Sequence, residues 1–138
     1  MDDLKKHTTK DGSLSLYSRY YNEGFHDTDG ALKESINKYL LPAQLDQFFH
    51  VEKIVVLDVC MGMGYNSGCI LEELLQSKIK IEWHGLEIDQ RPLSFSLNEK
   101  IFQEIWSKKV LHFFNCINKS GKWAEGFNKG TIHWGDAR

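Results

Sequence analysis

The sequence predicts an α/β fold in which parallel strands alternate with crossover helices, and two features indicate it. An apolar run at Lys53–Val59 leads into a glycine-rich turn, and apolar residues at helical spacing follow that turn. Two further segments with strand character, Ile79–Ile88 and Thr131–Trp134, are separated by residues with a helical repeat. This alternation is typical of a parallel sheet with right-handed crossovers. We therefore expect three parallel strands.

Length and composition limit the class of protein. A chain of 138 residues with 41% apolar and 12% aromatic residues can bury one core. Its net charge of -2 does not favour nucleic-acid binding, which would need a local basic patch. The three cysteines lack metal-ligand spacing, and no apolar stretch is long enough to cross a membrane. We expect a soluble, cytoplasmic protein with free thiols, no metal and no membrane association.

Residues 1–50 are expected to form an extension ahead of the α/β unit. The turn-forming pair Asp11-Gly12 precedes alternating residues at Ser13–Ser18, and Tyr20–Phe25 could return as the partner strand of a hairpin. An amphipathic helix follows and ends at Pro42. Its predicted buried face has four residues at helical spacing: Leu32, Ile36, Tyr39 and Leu40.

Residues 51–138 are expected to hold the α/β unit itself. The helix after the glycine turn would be capped by Asn66 or Ser67 and would bury Ile70, Leu71, Leu74 and Leu75. The second crossover begins at Pro92 and contains two helical segments or one bent helix. Its apolar repeats are Leu93, Leu97, Ile101 and Ile105, then Val110, Phe113, Phe114 and Ile117. A polar loop at residues 119–122 leads to the third strand.

The glycine turn predicts a site for a cofactor that carries a nucleoside. Gly62 and Gly64 lack a Cβ, so the chain can turn tightly and a ligand can approach the backbone. Glu87 ends the second predicted strand, where an acid can accept hydrogen bonds from both ribose hydroxyls. Asp136 ends the third strand and could accept from an adenine amino group.

Asp58, at the end of the first strand, favours one cofactor over another. A carboxylate near the pyrophosphate of a dinucleotide would cost on the order of 1–4 kcal/mol. The same carboxylate complements the sulfonium and amino group of S-adenosylmethionine. The residues therefore favour the methyl donor, with a dinucleotide-binding oxidoreductase as the alternative.

Several motifs together resemble the MnmC-like methyltransferases, a family that includes the methyltransferase half of the bifunctional MnmC protein and its stand-alone relatives. The matching segments, in order, are Thr9–Ser18, Glu23–His26, Gly30–Glu34, Leu57–Asn66, Gly85–Glu87, Pro92-Leu93 and Gly135-Asp136. The combination of D-G-S-x-x-L-Y-S, the glycine turn and the final G-D-A-R is much more specific than the turn alone.

The resemblance implies a Rossmann-like class I methyltransferase fold and S-adenosylmethionine-dependent N-methylation. The acceptor would be the 5-aminomethyl group of the wobble uridine in a tRNA anticodon. Implied cofactor-binding residues are Asp58, Gly62, Gly64, Glu87 and Asp136. Tyr17, Ser18 and Glu23 would close over the methionine end or the acceptor base, although Tyr17 could equally pack and Ser18 could be a turn residue. The resemblance assigns no catalytic residue.

The sequence also departs from the family. Members carry a fourth strand ending in a motif like D-x-F-x-P-x-K-N-P-x-x-W, and Arg138 is reached before any such residues. We therefore expect the cofactor-binding half of a truncated or split fold, in which a second chain could supply the rest. Ile54–Leu57 would then be an unpaired apolar edge. A non-catalytic remnant that binds cofactor, RNA or a partner chain is a further alternative.

The tRNA binding that the resemblance implies would need a local basic surface, because the net charge of the chain is -2. Lys119–Trp123 together with Phe127 interleaves lysines with aromatic residues, which suits phosphate binding and base stacking. A solvated loop with its aromatic side chains turned inward is the alternative.

Overall fold

The computed structural model describes residues 3–138 as two sheets with helices packed between and beside them. The first sheet contains β1 (Leu4–Thr8), β2 (Leu14–Ser18) and β3 (Glu23–Gly24), in the order β1-β2-β3. The second contains β4 (Lys53–Val59), β5 (Lys80–Glu87), β6 (Lys122–Glu125) and β7 (Asn128–Trp134), in the order β4-β5-β7-β6. β4, β5 and β7 are parallel, so the predicted α/β fold is confirmed.

The N-terminal hairpin differs from the prediction in its partner strand. β2 pairs along its whole length with β1, whereas only Glu23–Gly24 of the predicted Tyr20–Phe25 strand pairs with it. Tyr20 and Tyr21 lie in the turn between β2 and β3 and are exposed. β1 was missed because Leu4–Thr8 is mostly polar and has no apolar alternation.

The Asp11-Gly12 turn joins β1 to β2 and caps the helix that follows. That helix, α1 (Ala31–Ser35), presents its first N–H groups to this turn. The N–H groups donate in turn to three oxygens: Ala31 to Thr9 Oγ1 at 3.1 Å, Leu32 to Ser13 Oγ at 3.1 Å and Lys33 to Asp11 Oδ2 at 3.0 Å. The motif that supports the family resemblance therefore has a structural role, because it satisfies N–H groups that a helix cannot satisfy itself.

The predicted helix continues past Pro42 in a modified form. After α1 the chain forms a π-helical turn, Ile36–Leu40, and then α2 (Leu41–Ala43). The Leu41 N–H donates to the Ile36 carbonyl five residues back, as the wider turn requires. The helix ends after Ala43 rather than at Pro42, because Gln44 takes a left-handed conformation with φ 47°. A 3₁₀ turn, Leu45–Phe48, then leads to β4.

The remaining helices cover one face of the large sheet. They are α3 (Tyr65–Leu74), α4 (Arg91–Leu97), α5 (Lys100–Gln103) and α6 (Lys108–Ser120). The second crossover therefore contains three helices rather than two segments, and Ile101 of its predicted buried repeat is exposed. The core between this crossover and the sheet is aromatic. The rings of Trp83 and Phe113 lie 4.9 Å apart and those of Phe113 and Trp123 lie 5.1 Å apart, and both pairs pack edge to face.

Two local predictions for this unit were wrong. Gly64, not Asn66 or Ser67, is the N-cap of α3, because both side chains are bound elsewhere. Of the loop predicted at residues 119–122, Lys119 and Ser120 end α6 and Lys122 begins β6. The left-handed Gly126 (φ 58°) then lets the chain fold back antiparallel onto β7. No helix within residues 3–138 is long and apolar enough to span a membrane.

The strand expected to form an unpaired edge does so in the described part of the chain. β4 pairs only with β5. On the face away from the helices, Val55, Leu57 and Val59 are 58%, 61% and 51% exposed. Parallel sheets are normally covered on both faces. This face instead exposes three apolar side chains to water.

Candidate functional site

The C-terminal ends of β4, β5 and β7 lie side by side and form the base of the candidate site. The Cys60 N–H donates to the Leu86 carbonyl at 2.8 Å, and the Gly135 N–H donates to the Glu87 carbonyl at 2.8 Å. Ligands of open α/β sheets bind outside these strand ends. A cleft of about 690 Å³ begins here and runs along β4, beneath the N-terminal extension.

The glycine turn between β4 and α3 requires its two glycines for different reasons. Gly62 has φ 58° and its nearest neighbour is the Phe25 ring, 3.7 Å from where a Cβ would lie. Gly64 has φ 99°, and a Cβ there would lie 2.7 Å from the Phe114 ring of α6. Gly62 therefore borders the cleft, whereas Gly64 allows the start of α3 to pack against α6.

Glu87 fastens the glycine turn to the end of β5. The buried carboxylate accepts the Gly62 N–H at 2.7 Å on Oε2 and the N–H groups of Ile88 and Asp89 at 2.8 and 3.0 Å on Oε1. Both oxygens are thus already bound to backbone. Three of the roughly four lone-pair sites of the carboxylate are therefore used, and the site left on Oε2 is the one that the predicted ribose contact would use.

Asp58 lines the cleft and belongs to a short hydrogen-bonded chain. The Trp83 indole N–H donates to Ser67 Oγ at 2.8 Å, and the Ser67 hydroxyl donates to Asp58 Oδ2 at 2.5 Å. Burial raises the pKa of Asp58, the Ser67 hydrogen bond opposes that rise, and the charge of Glu87 adds to it. Within residues 3–138, neither Asp58 nor Glu87 forms an ion pair with a basic side chain.

Asp136 follows β7 at the same edge of the sheet but lies at the surface. Its carboxylate pairs with the Arg138 guanidinium at 2.6 Å, and this hydrogen bond holds the pKa of Asp136 below its usual value. An adenine contact would therefore compete with Arg138. The role of Asp136 stays a prediction.

Tyr17, Ser18 and Glu23 do not line the cleft. The Tyr17 hydroxyl donates to Asn22, and Ser18 Oγ accepts the Tyr21 N–H at 3.2 Å, so both residues hold the turn between β2 and β3. Glu23 is exposed in β3. Their predicted contacts to a ligand stay predictions.

The turn between β2 and β3 is nevertheless connected to the strand ends through a chain of three contacts. The Arg19 N–H donates to the Asp3 carbonyl at 2.6 Å, and the Asp3 carboxylate pairs with Arg91 at 2.8 Å. Arg91 also pairs with Asp89, two residues beyond Glu87, at 2.7 Å. This chain of contacts connects the Tyr20–Asn22 turn to the end of β5.

Phe25, His26 and Cys60 line the cleft and were not among the predicted site residues. The His26 Nδ1 is 2.9 Å from Ser15 Oγ, and the ring packs edge to face on Tyr65 at 5.1 Å. Burial lowers the pKa of His26 to about 4, so the ring is neutral near pH 7. No periodicity marks Phe25 and His26, because β3 ends at Gly24 and a loop places them, whereas Cys60 directly follows β4 in the glycine turn.

The predicted basic and aromatic surface does not form as one unit. Trp123 is 2% exposed and packs inward, whereas Phe127 is 84% exposed at the turn between β6 and β7. The inward alternative therefore holds for Trp123. Among residues 3–138, no group of three or more His, Cys, Asp or Glu side chains is placed to hold a metal ion.

Comparison with known proteins supports the fold. No family model matches the sequence. MnmC2 from Aquifex aeolicus is 24% identical, and its crystal structure matches with a TM-score of 0.74 over 97% of this chain and 43% of its own. An uncharacterised protein of Methanocaldococcus jannaschii is 31% identical over 134 residues, which are 94% of this chain and 35% of that protein. The chain thus spans less than half the length of either protein, and it shares its Rossmann-like fold with MnmC2.

Proposed function

We propose that the chain binds S-adenosylmethionine at the C-terminal ends of β4, β5 and β7. The observation that carries this proposal is the pair of carboxylates, Asp58 and Glu87, for which residues 3–138 provide no cation. A ligand with a sulfonium and an ammonium group would provide that charge and would offset both the burial that mainly raises the pKa of Asp58 and the smaller contribution of the Glu87 charge.

A dinucleotide fits the turn less well. In dinucleotide sites the N–H groups of the glycine turn bind the pyrophosphate. Here the Gly62 N–H already donates to Glu87, so a phosphate would have to displace one carboxylate and lie near another. This arrangement favours a cationic cofactor over NAD.

We further propose that the methyl group is transferred to the 5-aminomethyl group of the wobble uridine in tRNA. The shared fold with MnmC2 supports this acceptor, as do the motifs that resemble the MnmC-like family. Tyr20 and Tyr21, whose exposed rings pack edge to face at 4.8 Å, offer a surface on which bases can stack. Arg19 adjoins them in the sequence and carries positive charge.

A second candidate function is cofactor or RNA binding without catalysis. The unpaired edge of β4 favours it, because the cleft that holds Asp58 is open along that strand. The two candidates share the cofactor site and differ in whether the chain alone transfers the methyl group.

Titration calorimetry with S-adenosylmethionine, S-adenosylhomocysteine and NAD tests the cofactor. We expect both sulfur ligands to bind and NAD not to bind. Glu87→Gln should weaken S-adenosylmethionine binding about 10-fold or more, since charged hydrogen bonds contribute roughly 1.5–3 kcal/mol. The matched control, Glu99→Gln, removes a carboxylate that pairs with Lys6 at the surface and should leave affinity unchanged. Binding of NAD alone would contradict the proposal.

Transfer of a radiolabelled methyl group to tRNA that lacks the terminal methyl separates the two candidates. Incorporation that is lost in Glu87→Gln supports the enzyme. A folded protein that binds the cofactor but transfers no label would identify the non-catalytic binder.

A further inference from the structure

A second groove lies at the opposite end of the large sheet from the candidate site. It has a volume of about 590 Å³ and is walled by the end of α3, the start of α6, the turn between β6 and β7 and the first residues of β5. At a rise of about 3.3 Å per residue, Lys80 at the start of β5 lies about 23 Å from Glu87 at its end. The groove is therefore separate from the strand ends at which the cofactor is proposed to bind.

Phe127 is exposed at the rim of this groove, although the fold does not need a ring there. It is the most exposed large apolar side chain among residues 3–138. The tight turn that carries it is set by its neighbours: Gly126 has φ 58°, and Asn128 Oδ1 accepts the Ile81 N–H of β5 at 2.8 Å. The turn thus holds the ring at a fixed place and leaves it uncovered.

Charged side chains of both signs line the groove without pairing. They are Glu52, Lys78, Lys80, Lys109 and Glu125. Within residues 3–138, none of the five forms an ion pair. The Lys80 ammonium lies over one face of the Phe127 ring, 5.6 Å from its centroid, so the other face is open to a ligand. The ammonium groups keep their hydrogen-bonding capacity, which an anionic ligand can use.

Glu125 adds a requirement for a hydrogen-bond donor. Its Oε2 atom is shielded from water and accepts no hydrogen bond from residues 3–138. Buried acceptors in folded proteins are normally satisfied by a partner. A ligand that presents an N–H group to this carboxylate would supply the missing partner.

We propose that this groove binds a nucleotide: its base stacks on the open face of Phe127, an amino group of the base donates to Glu125, and its phosphate binds Lys78 and Lys109. A nucleotide combines the aromatic face, the amino donor and the anionic group that the lining calls for. An acidic peptide fits less well, because the carboxylates of Glu52 and Glu125 would repel it.

A free nucleotide and a residue of an RNA chain present the same chemistry to the groove, and competition distinguishes the two. The proposal rests on the groove alone and involves neither the cofactor nor methyl transfer. Failure of one proposal therefore leaves the other standing.

Fluorescence anisotropy with labelled hexaadenylate tests the stacking. Phe127→Ala should weaken binding about 10-fold or more, which is the range for loss of one stacked base. Its melting temperature should stay at the wild-type value, because the side chain is exposed, and this separates a lost contact from misfolding. Phe49→Ala removes an exposed ring outside the groove and should leave affinity unchanged.

Salt dependence tests the phosphate contact. Lys78→Gln and Lys109→Gln should each weaken binding and reduce the slope of log affinity against log salt by about 0.7, as expected for one contact to a single strand. Lys119→Gln, at the other end of α6, is the matched control and should keep the wild-type slope.

Comparison of bases tests the contact to Glu125. Hexauridylate should bind more weakly than hexaadenylate, because uracil has no amino group. Glu125→Ala should weaken hexaadenylate and leave hexauridylate unchanged. Equal loss for the two oligonucleotides would overturn the assigned role of Glu125.

Competition with unlabelled adenosine monophosphate, pyrophosphate and hexaglutamate identifies the ligand class. Displacement by the monophosphate would support the proposal with a free nucleotide as the ligand, and displacement by unlabelled hexaadenylate alone would support it with an RNA chain. Three results would overturn it: no binding of hexaadenylate, binding that Phe127→Ala leaves unchanged, or displacement by pyrophosphate or hexaglutamate as effective as that by hexaadenylate.

Discussion

Asp58 is a half-buried acid whose raised pKa makes the free protein less stable when the residue is ionised. The folded state binds this proton more tightly than the unfolded state, so its contribution to stability is present at low pH and is lost as the pH rises through the raised pKa. Asp58→Asn should therefore raise the melting temperature at pH 7 by roughly 1–4 °C. The amide oxygen can still accept the Ser67 hydroxyl.

The same change should weaken binding of the proposed cofactor, because it removes the negative charge of Asp58, one of the two carboxylates on which the proposed site depends. Calorimetry at pH 7 should show lower affinity for S-adenosylmethionine in the more stable variant. Asp46→Asn, which alters an exposed acid outside the cleft, should change neither quantity. A destabilised Asp58→Asn protein would show that the ionised carboxylate supports the fold.

The contribution of His26 to folding stability should change with pH in the opposite direction. Its pKa falls from 6.5 to about 4 on folding, so its contribution to stability is present at neutral pH and is lost as the pH falls from about 6.5 toward 4. His26→Gln should flatten the stability profile across this range, where one such group changes the unfolding free energy by at most about 1.4 kcal/mol per pH unit. Urea midpoints at pH 7, 5.5 and 4.5 measure it. His50→Gln, at an exposed site, should keep the wild-type slope.

At the scale of elements, the cap that the β1–β2 turn places on α1 should contribute measurably to stability. Asp11 loses some charge stabilisation through burial, but hydrogen bonds from Ser13, Lys33 and Thr9 outweigh this and lower the pKa of Asp11 to about 2. Asp11→Ala should reduce the unfolding free energy by about 1–2 kcal/mol, as the loss of a helix cap does. Urea denaturation at pH 7 measures the loss.

The pH dependence of the stabilisation by Asp11 provides a second test of the cap. A depressed pKa stabilises the fold above the ordinary value of 3.8 and stops doing so as the pH falls toward 2. The difference between wild type and Asp11→Ala should therefore shrink through that range. Asp29→Ala is the matched control. Among residues 3–138 the Asp29 carboxylate pairs only with the exposed Lys10, so its loss should cost little. Equal effects of the two changes would refute the cap.

Elements with a strong apolar pattern were predictable from the sequence, and those defined by tertiary contacts were not. β4 has the predicted bounds because its apolar run ends in the glycine turn. β1 lacks apolar alternation and exists because β2 pairs with it. The π-helical turn before Pro42 and the loop that places His26 in the cleft likewise have no local signal.

The candidate site was likewise predictable only where the sequence carries a local signal. Parallel topology brings the ends of three strands together, so Asp58, Glu87 and Asp136 could be placed at one edge from sequence alone. The roles of their neighbours could not be inferred. The contact between Gly64 and Phe114 and the three N–H groups held by Glu87 depend on how α6 and the turn pack.

At the scale of the whole molecule, the position of each strand in the sheet predicts how its amides exchange with solvent. β5 is paired on both sides, so successive amides from Trp83 to Leu86 should all be protected. β4 is paired on one side only. The amides of Val56 and Asp58, which point to β5, should exchange at least about 10-fold more slowly than those of Val55, Leu57 and Val59.

This alternation is a direct measure of the free edge in the isolated chain. Hydrogen exchange followed by NMR at a low protein concentration resolves the individual amides. Uniform protection along β4 would mean that its outer groups are already bound, and repeating the measurement after dilution would identify self-association as the cause. An alternating pattern that is independent of concentration would show that the edge is unoccupied in the monomer, because only unpaired N–H groups exchange without unfolding of the sheet.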